Sequence, residues 1–219
     1  GLLTCLKTDL AHSAPQETVT SPIFVAAPYQ PSLVGSLHVT PAKLTPFWRN
    51  WLYDQGSLTA RLIALSPGQF SVECLKEGYG LPSPLEQKEL HMNPSQRVWF
   101  REVTLKLNGS PVVYARTAVP LSALNGKMTR LQHLGNRSLG SFLFSEPSLQ
   151  REPLKVSHCK ANTLGLTWCR RSVFRINHRP LMVSEAFSPN LLSFADPEVY
   201  ERNYRPAKSS LANLESVGS

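Results

Sequence analysis

The chain has 219 residues, 42% of them hydrophobic and 17% charged, with a formal net charge of +8, a balance that fits one well-buried core and excludes disorder of the whole chain. The surplus charge asks for an anionic partner, but its 23 Lys and Arg are scattered and no RNA-binding, zinc-finger or homeodomain signature accompanies them, which argues against nucleic acid. No apolar run approaches the roughly 20 residues of a membrane span, and Cys5, Cys74, Cys159 and Cys169 form no C-x-x-C pair, so the expectation is a soluble cytoplasmic protein with reduced thiols.

Residues 1–40 mix Pro15, Pro22, Pro28 and Pro31 with Ser, Thr and Gln and carry no sustained period, so they read as an extended arm. From Thr45 the pattern changes. Thr45 can cap a helix, Pro46 suits its first position, and Trp48, Trp51 and Leu52 fall at helical spacing. A second helix is expected with Ser57 as its N-cap, followed by a turn at Pro67-Gly68 and a strand through Phe70, Val72 and Cys74.

The clearest element is a hairpin. Trp99, Arg101, Val103, Leu105 and Leu107 alternate with their neighbours, Asn108-Gly109 supplies the preferred two-residue turn, and Pro111 to Val119 return as the partner strand. Uninterrupted pairing from that turn matches Leu107 with Ser110 and Arg101 with Arg116, which puts both arginines on one face. Beyond it, Met128, Leu131 and Leu134 have helical spacing up to Gly135, and Ser138 opens another short helix. Lys155 to Lys160, Ser172 to Asn177 and Leu181 to Phe187 are three further strand candidates. Strands outnumber helices and no β-α-β repeat occurs, so an α+β fold with a largely antiparallel sheet is predicted. The organisation expected is an arm at 1–40, one domain at 41–195 and a tail at 196–219.

Arg101 interrupts an otherwise apolar strand face, where a guanidinium loses solvation unless it meets an anion. That anion is either a structural carboxylate or a ligand, and a cross-strand Arg116 favours a ligand that relieves two like charges. Glu185 repeats the pattern with opposite sign among Leu181, Val183 and Phe187, and it too is either ion-paired or held at a ligand. Leu58 and Leu139 each follow a capping serine, where free backbone N–H groups can receive a carboxylate. No G-x-S-x-G, H-E-x-x-H or P-loop is present, and no His, Cys or carboxylate group has metal-ligand spacing.

These residues resemble the chorismate lyase family. The matching segments are Ser57-Leu58-Thr59, Arg97 to Glu102, Gly109 with Arg116 to Pro120, Leu134-Gly135, Ser138-Leu139-Gly140, Arg170-Arg171-Ser172 and Pro180 to Glu185, in the family's order between about Pro46 and Pro189. The long arm and tail look more like its plastid and photosynthetic-bacterial branch. The resemblance implies a six-stranded antiparallel sheet with two helical flaps over an internal ligand. It implies an enzyme without metal or organic cofactor that removes pyruvate from chorismate, leaving 4-hydroxybenzoate, a quinone ring precursor. It also implies that Arg101 and Glu185 match ligand-binding side chains and that Leu58 and Leu139 contact ligand through backbone, where a well-known branch has Met in place of Leu58. Arg116 is the second cation in this reading, Glu185 serves as base or orients the ring hydroxyl, and a monomer is expected. The competing reading is a non-catalytic sensor domain of the kind found in some transcription regulators. No recognisable helix-turn-helix precedes residue 57.

Overall fold

A computed structural model describes residues 34, 35 and 37–195, so what was expected of residues 1–33 and of the tail at 196–219 lies outside the described residues. The first helix, α1 (Pro46–Leu52), has its cap at Thr45, whose hydroxyl accepts from the Trp48 amide, and it buries Trp48, Trp51 and Leu52. It is followed by α2 (Leu58–Leu65), capped by Ser57. A long strand, β1 (Phe70–Gly80), leads to α3 (Pro84–Glu89), whose Ser83 and Glu86 form a reciprocal capping box. The S-x-x-E signal for α3 was present in the sequence, but six residues are too few to show a helical period.

The hairpin is β2 (Val98–Leu107) and β3 (Ser110–Pro120), turning on Asn108 and Gly109, both with positive φ. A stretch of 3₁₀ helix at Gly126–His133 and the short α4 (Leu139–Leu143) follow, the latter capped by Ser138. The chain closes with β4 (Gln150–Arg151), β5 (Lys155–His158), β6 (Trp168–Ile176), β7 (Arg179–Phe187) and α5 (Asn190–Ala195). Asn177 and His178, both with positive φ, join β6 to β7.

The result is an α+β fold on one antiparallel sheet ordered β1-β2-β3-β7-β6-β4, with β5 also on β6. Seven strands stand where the resemblance implied six. Beyond β6 the edge is split at Pro153, which has no N–H to give the ladder, so β4 pairs with 174–175 and β5 with 168–171.

The hairpin register departs from the expected one. Leu107 does face Ser110, but the pairing shifts between Leu105 and Lys106, so that Leu105 faces Val113 and Val112 is the extra residue of a bulge. Arg101 therefore faces Thr117, and Arg116 faces Glu102. A shift of one residue turns a side chain to the other side of the sheet, and the two arginines are not neighbours on one face.

Alternation sorts the sheet into two unlike faces. One carries two apolar clusters: Trp48, Trp51, Leu58, Leu62, Leu105 and Phe187 under α1 and α2, and Trp99, Met128, Leu131, Leu143, Phe174 and Val183 under the 3₁₀ stretch and α4. The other face carries two smaller apolar clusters, one around Tyr114 and Ala186 and one around Leu90, Val173 and Met182, together with buried ion pairs. Glu86 and Glu89, one turn apart on α3, are buried against Arg116 at 2.6 Å and Arg171 at 3.1 Å, while Glu102 and Lys155 complete the pairs.

A further correction concerns the cysteines. Cys159 and Cys169 form a disulfide with Cα atoms 5.5 Å apart, because the β5–β6 pairing brings together residues ten apart in sequence. The expectation of reduced thiols fails for that pair, whereas Cys74 is free.

Burial pushes the Glu89 carboxyl up, but hydrogen bonds from Lys155 and Arg171 outweigh it and hold the group below its usual range. Its stabilisation is thus complete above the unfolded value of about 4.3 and is lost as pH falls through the lower folded value. Glu89→Gln is expected to lower the melting temperature at pH 7, and the deficit should shrink toward zero below about pH 4. Melts across that range measure it, and an equal deficit at pH 7 and pH 3 contradicts the assignment.

Candidate active site

The two apolar clusters do not meet over the middle of the sheet, and the gap between them is a partly open cavity. Its floor is made by two rows of direct strand partners. Arg101, Thr117 and Val183 form one row, and Val103, Ala115, Glu185 and Arg170 form the next. Its roof is made by Gly56, Leu58 and Thr59 at the start of α2 and by Leu139 and Gly140 at the start of α4. Leu58, Arg101, Leu139 and Glu185, four residues singled out in the sequence, therefore line one cavity. Arg116 does not, since it lies across the sheet between Glu86 and Glu102.

Arg101 is 2% exposed. Its Nη2 donates to the carbonyl oxygens of Gly135 and Arg137 at 2.7 and 2.9 Å, which orients the guanidinium from the segment leading into α4. Its Nε lies 3.2 Å from the Glu77 carboxylate yet has no aligned hydrogen bond. We read that contact as a charge pair, with Glu77 one-third exposed and its attraction screened by solvent.

Glu185 pairs with neither Arg101 nor Arg116. Its partner is Arg170, the residue directly opposite on β6, with Nε at 2.5 Å from Oε2. Arg170, 1% exposed, also donates from Nη1 to the carbonyls of Trp51, Leu52 and Asp54. A guanidinium here answers the unpaired carbonyls at the end of α1 and fixes the position of Glu185 at the same time. Glu185 Oε1 is engaged by no other described residue.

The fourth charged group is Arg151 on β4. Its Nε and Nη2 donate to Ser172 Oγ, its Nη1 to the carbonyls of Asp54, Gln55 and Gly56, and its plane lies 4.8 Å over the Phe174 ring. Burial, against the pull of Glu185 and with the push of Arg170, takes it down to about 10. Three arginines against Glu185 make the cavity net positive.

The roof adds donors without charge. Ser57 and Ser138 accept from the amides of Ala60 and Ser141, the third position of each helix, so the first two amides of each are left to other acceptors. Gly140 allows the helix starts to approach: a Cβ there would lie 2.6 Å from Thr59 Oγ1 and 3.3 Å from Ser57 Oγ. The whole is an apolar slot with cations, one carboxylate and convergent N–H groups, suited to a small aromatic-sized acid. Among the described residues no group of His, Cys, Asp and Glu is placed to hold a metal.

Arg170 and Arg151 were not recognised from the pattern. The apolar alternation of β6 is legible only from Ser172, two residues after Arg170, and β4 is too short to have a period. The double arginine at 170–171 was the available signal, one member for each face.

Comparison with known proteins identifies the family. Residues 37–196 match the family model described as chorismate lyase. A protein of Marinobacter nauticus named probable chorismate pyruvate-lyase is 43% identical over 144 residues, covering 65% of this chain and 77% of that one. One of the same name from Pseudomonas aeruginosa is 39% identical over 158 residues, covering 68% and 88%. Among solved structures, the effector domain of PhnF from Mycobacterium smegmatis aligns with a TM-score of 0.47 at 13% identity, over 63% of this chain and 91% of that one. That likeness is too loose to bear on function.

The approach of the two helix starts is open to test. Gly140→Ala overpacks it at a cost of roughly 1–3 kcal/mol, so affinity for benzoate, a minimal aromatic carboxylate, should fall about tenfold while the fold is kept. Calorimetric titration beside a thermal melt measures both, and unchanged benzoate affinity means the helix starts do not contact ligand.

Proposed function

Since the chain belongs to the chorismate lyase family, we propose that it eliminates pyruvate from chorismate, leaving 4-hydroxybenzoate. The observation that carries this reading is the convergence of Arg101, Glu185 and two capped helix starts on one cavity. In it the ring carboxylate of chorismate is received by Arg101 and by the first amides of α2 and α4, at Leu58 and Leu139. Glu185, with Oε2 held by Arg170, accepts a hydrogen bond from the ring hydroxyl at Oε1.

The ether bond between ring carbon and pyruvyl oxygen breaks, the hydrogen on the neighbouring hydroxyl-bearing carbon leaves, and the electrons of that C–H bond complete the aromatic ring. By one route Glu185 takes the proton and the departing enolpyruvate is protonated to pyruvate. By the other the hydrogen passes within the substrate to the vinyl carbon, and Glu185 only orients the hydroxyl. Aromatisation drives both, so the chemistry calls for no cofactor. The enclosing roof excludes water while the ring is reactive.

We further read the product as a quinone ring precursor, the working unit as a monomer, and the branch as the plastid and photosynthetic-bacterial one, although the relatives compared are bacterial. The Cys159–Cys169 bond removes the argument for a reducing compartment, so a cytoplasmic site rests on the substrate being a small metabolite. No helix among the described residues is long and apolar enough to cross a membrane. The sensor reading is not favoured, and it requires binding without turnover.

Mixing the protein with chorismate and following pyruvate and 4-hydroxybenzoate tests the activity directly, and ligand binding with no pyruvate released refutes it. Arg101→Ala is expected to raise KM and weaken 4-hydroxybenzoate binding about 10- to 100-fold, the value of a charge-assisted hydrogen bond. Glu185→Gln should lower kcat about 100-fold or more if Glu185 is the base. Both should stay folded, because Arg101 keeps Glu77 as its only charged loss and a glutamine can still accept from Arg170. Unchanged turnover in Glu185→Gln selects the internal transfer, and large melting losses with normal activity per folded molecule make both residues structural.

A further inference from the structure

Of the seven arginines on the strands five are paired with carboxylates, and Arg179, at the start of β7, donates to the carbonyl of Asn125. Arg101 has Glu77, Arg116 has Glu86 and Glu102, Arg170 has Glu185, Arg171 has Glu89, and Arg175 has Glu152. Arg151 has no carboxylate within 4 Å among the described residues; its partners are a hydroxyl, three carbonyls and an aromatic ring. It also lines the cavity. A half-buried cation supplied only with neutral partners retains unspent attraction for an anion.

Its position identifies the anion. Arg101 stands on β2 and Arg151 on β4, four steps apart in the sheet order β2-β3-β7-β6-β4, or about 19 Å between backbones at the usual strand spacing. Two long side chains reaching inward from those ends leave the width of a small ring bearing a carboxylate at either side. Chorismate has that shape. Its pyruvyl ether sits on the carbon next to the hydroxyl, so a hydroxyl at Glu185 directs the pyruvyl group away from Arg101 and toward β6 and β4. Arg170 is there too, but it is fully buried and committed to Glu185 and the end of α1.

We propose that Arg151 binds the second carboxylate of the substrate, the one that departs with pyruvate. This rests on the chorismate lyase reading and extends it from the half of the substrate that becomes product to the half that leaves. Arg151 then discriminates between substrate and product, because 4-hydroxybenzoate no longer carries the group it holds. The depressed value of about 10 agrees with a guanidinium awaiting negative charge.

The test compares two ligands in one variant. Arg151→Ala is expected to raise KM for chorismate about 10- to 100-fold while the dissociation constant of 4-hydroxybenzoate stays within about twofold, and Arg151→Lys should recover part of the loss. Arg151→Gln, which removes the charge and keeps donors for the Asp54–Gly56 carbonyls, gives the same comparison should the alanine variant fail to fold. Equal weakening of both ligands reduces Arg151 to a tie for that loop and overturns the proposal, as does an unchanged KM for chorismate. A wild-type protein that releases no pyruvate refutes the function itself. A wild type that turns over, with a variant that does not distinguish the two ligands, refutes only the role of Arg151.

Discussion

A β-sheet has no means of placing a charge except parity, and between the two arginines of the hairpin parity is set by one residue. Val112 is skipped between the pairs Lys106–Pro111 and Leu105–Val113, and every later residue of β3 changes side relative to β2. Without that bulge Arg116 would enter the cavity beside Arg101, and Glu86 and Glu102 would be buried without their cation. With it, Arg101 faces the ligand side and Arg116 the helix side, so binding charge and structural charge are separated by the thickness of a sheet. Pro111, next to the bulge, lacks the N–H that regular pairing would have used.

The separation lets the two faces obey different rules. Behind the sheet, α3 brings Glu86 and Glu89 to Arg116 and Arg171, and the buried charges are paired, although Arg171 Nη1 has no hydrogen-bond partner among the described residues. Burying such groups contributes little net stability, but unmatched ones are costly, so the arrangement fixes how α3 lies. In front, apolar clusters at either end carry the roof, and the charges between them are balanced incompletely. The cavity is positive because the back of the sheet holds most of the buried carboxylates.

What the sequence revealed follows the range of the interactions concerned. Thr45, Ser57 and Ser138 cap helices within three residues, and Asn108-Gly109 makes its turn within four, so these were legible from local chemistry alone. Arg101 and Glu185 stood out because each is one charge in an alternating apolar row. The pairing of Arg101 with Arg116 was misjudged because counting from the turn assumes an unbroken ladder, and Pro111, the local hint of a break, was read as ordinary strand. Arg170, Arg151 and the Cys159–Cys169 bond escaped for a related reason. Each acquires its meaning from a partner on another strand or helix, at a register that the chain does not declare until the sheet is assembled.

The contact at Gly140 has a mechanical side. With only a hydrogen where a side chain would be, this residue lets the start of α4 rest on Thr59 and Ser57 at the start of α2, although the two helices belong to different clusters and are separated by 73 residues of the chain. Pressure on either is passed to the other. The roof therefore behaves as one jaw with two sets of teeth, and a guest that seats itself against the first amides of one helix finds those of the other already at their working distance.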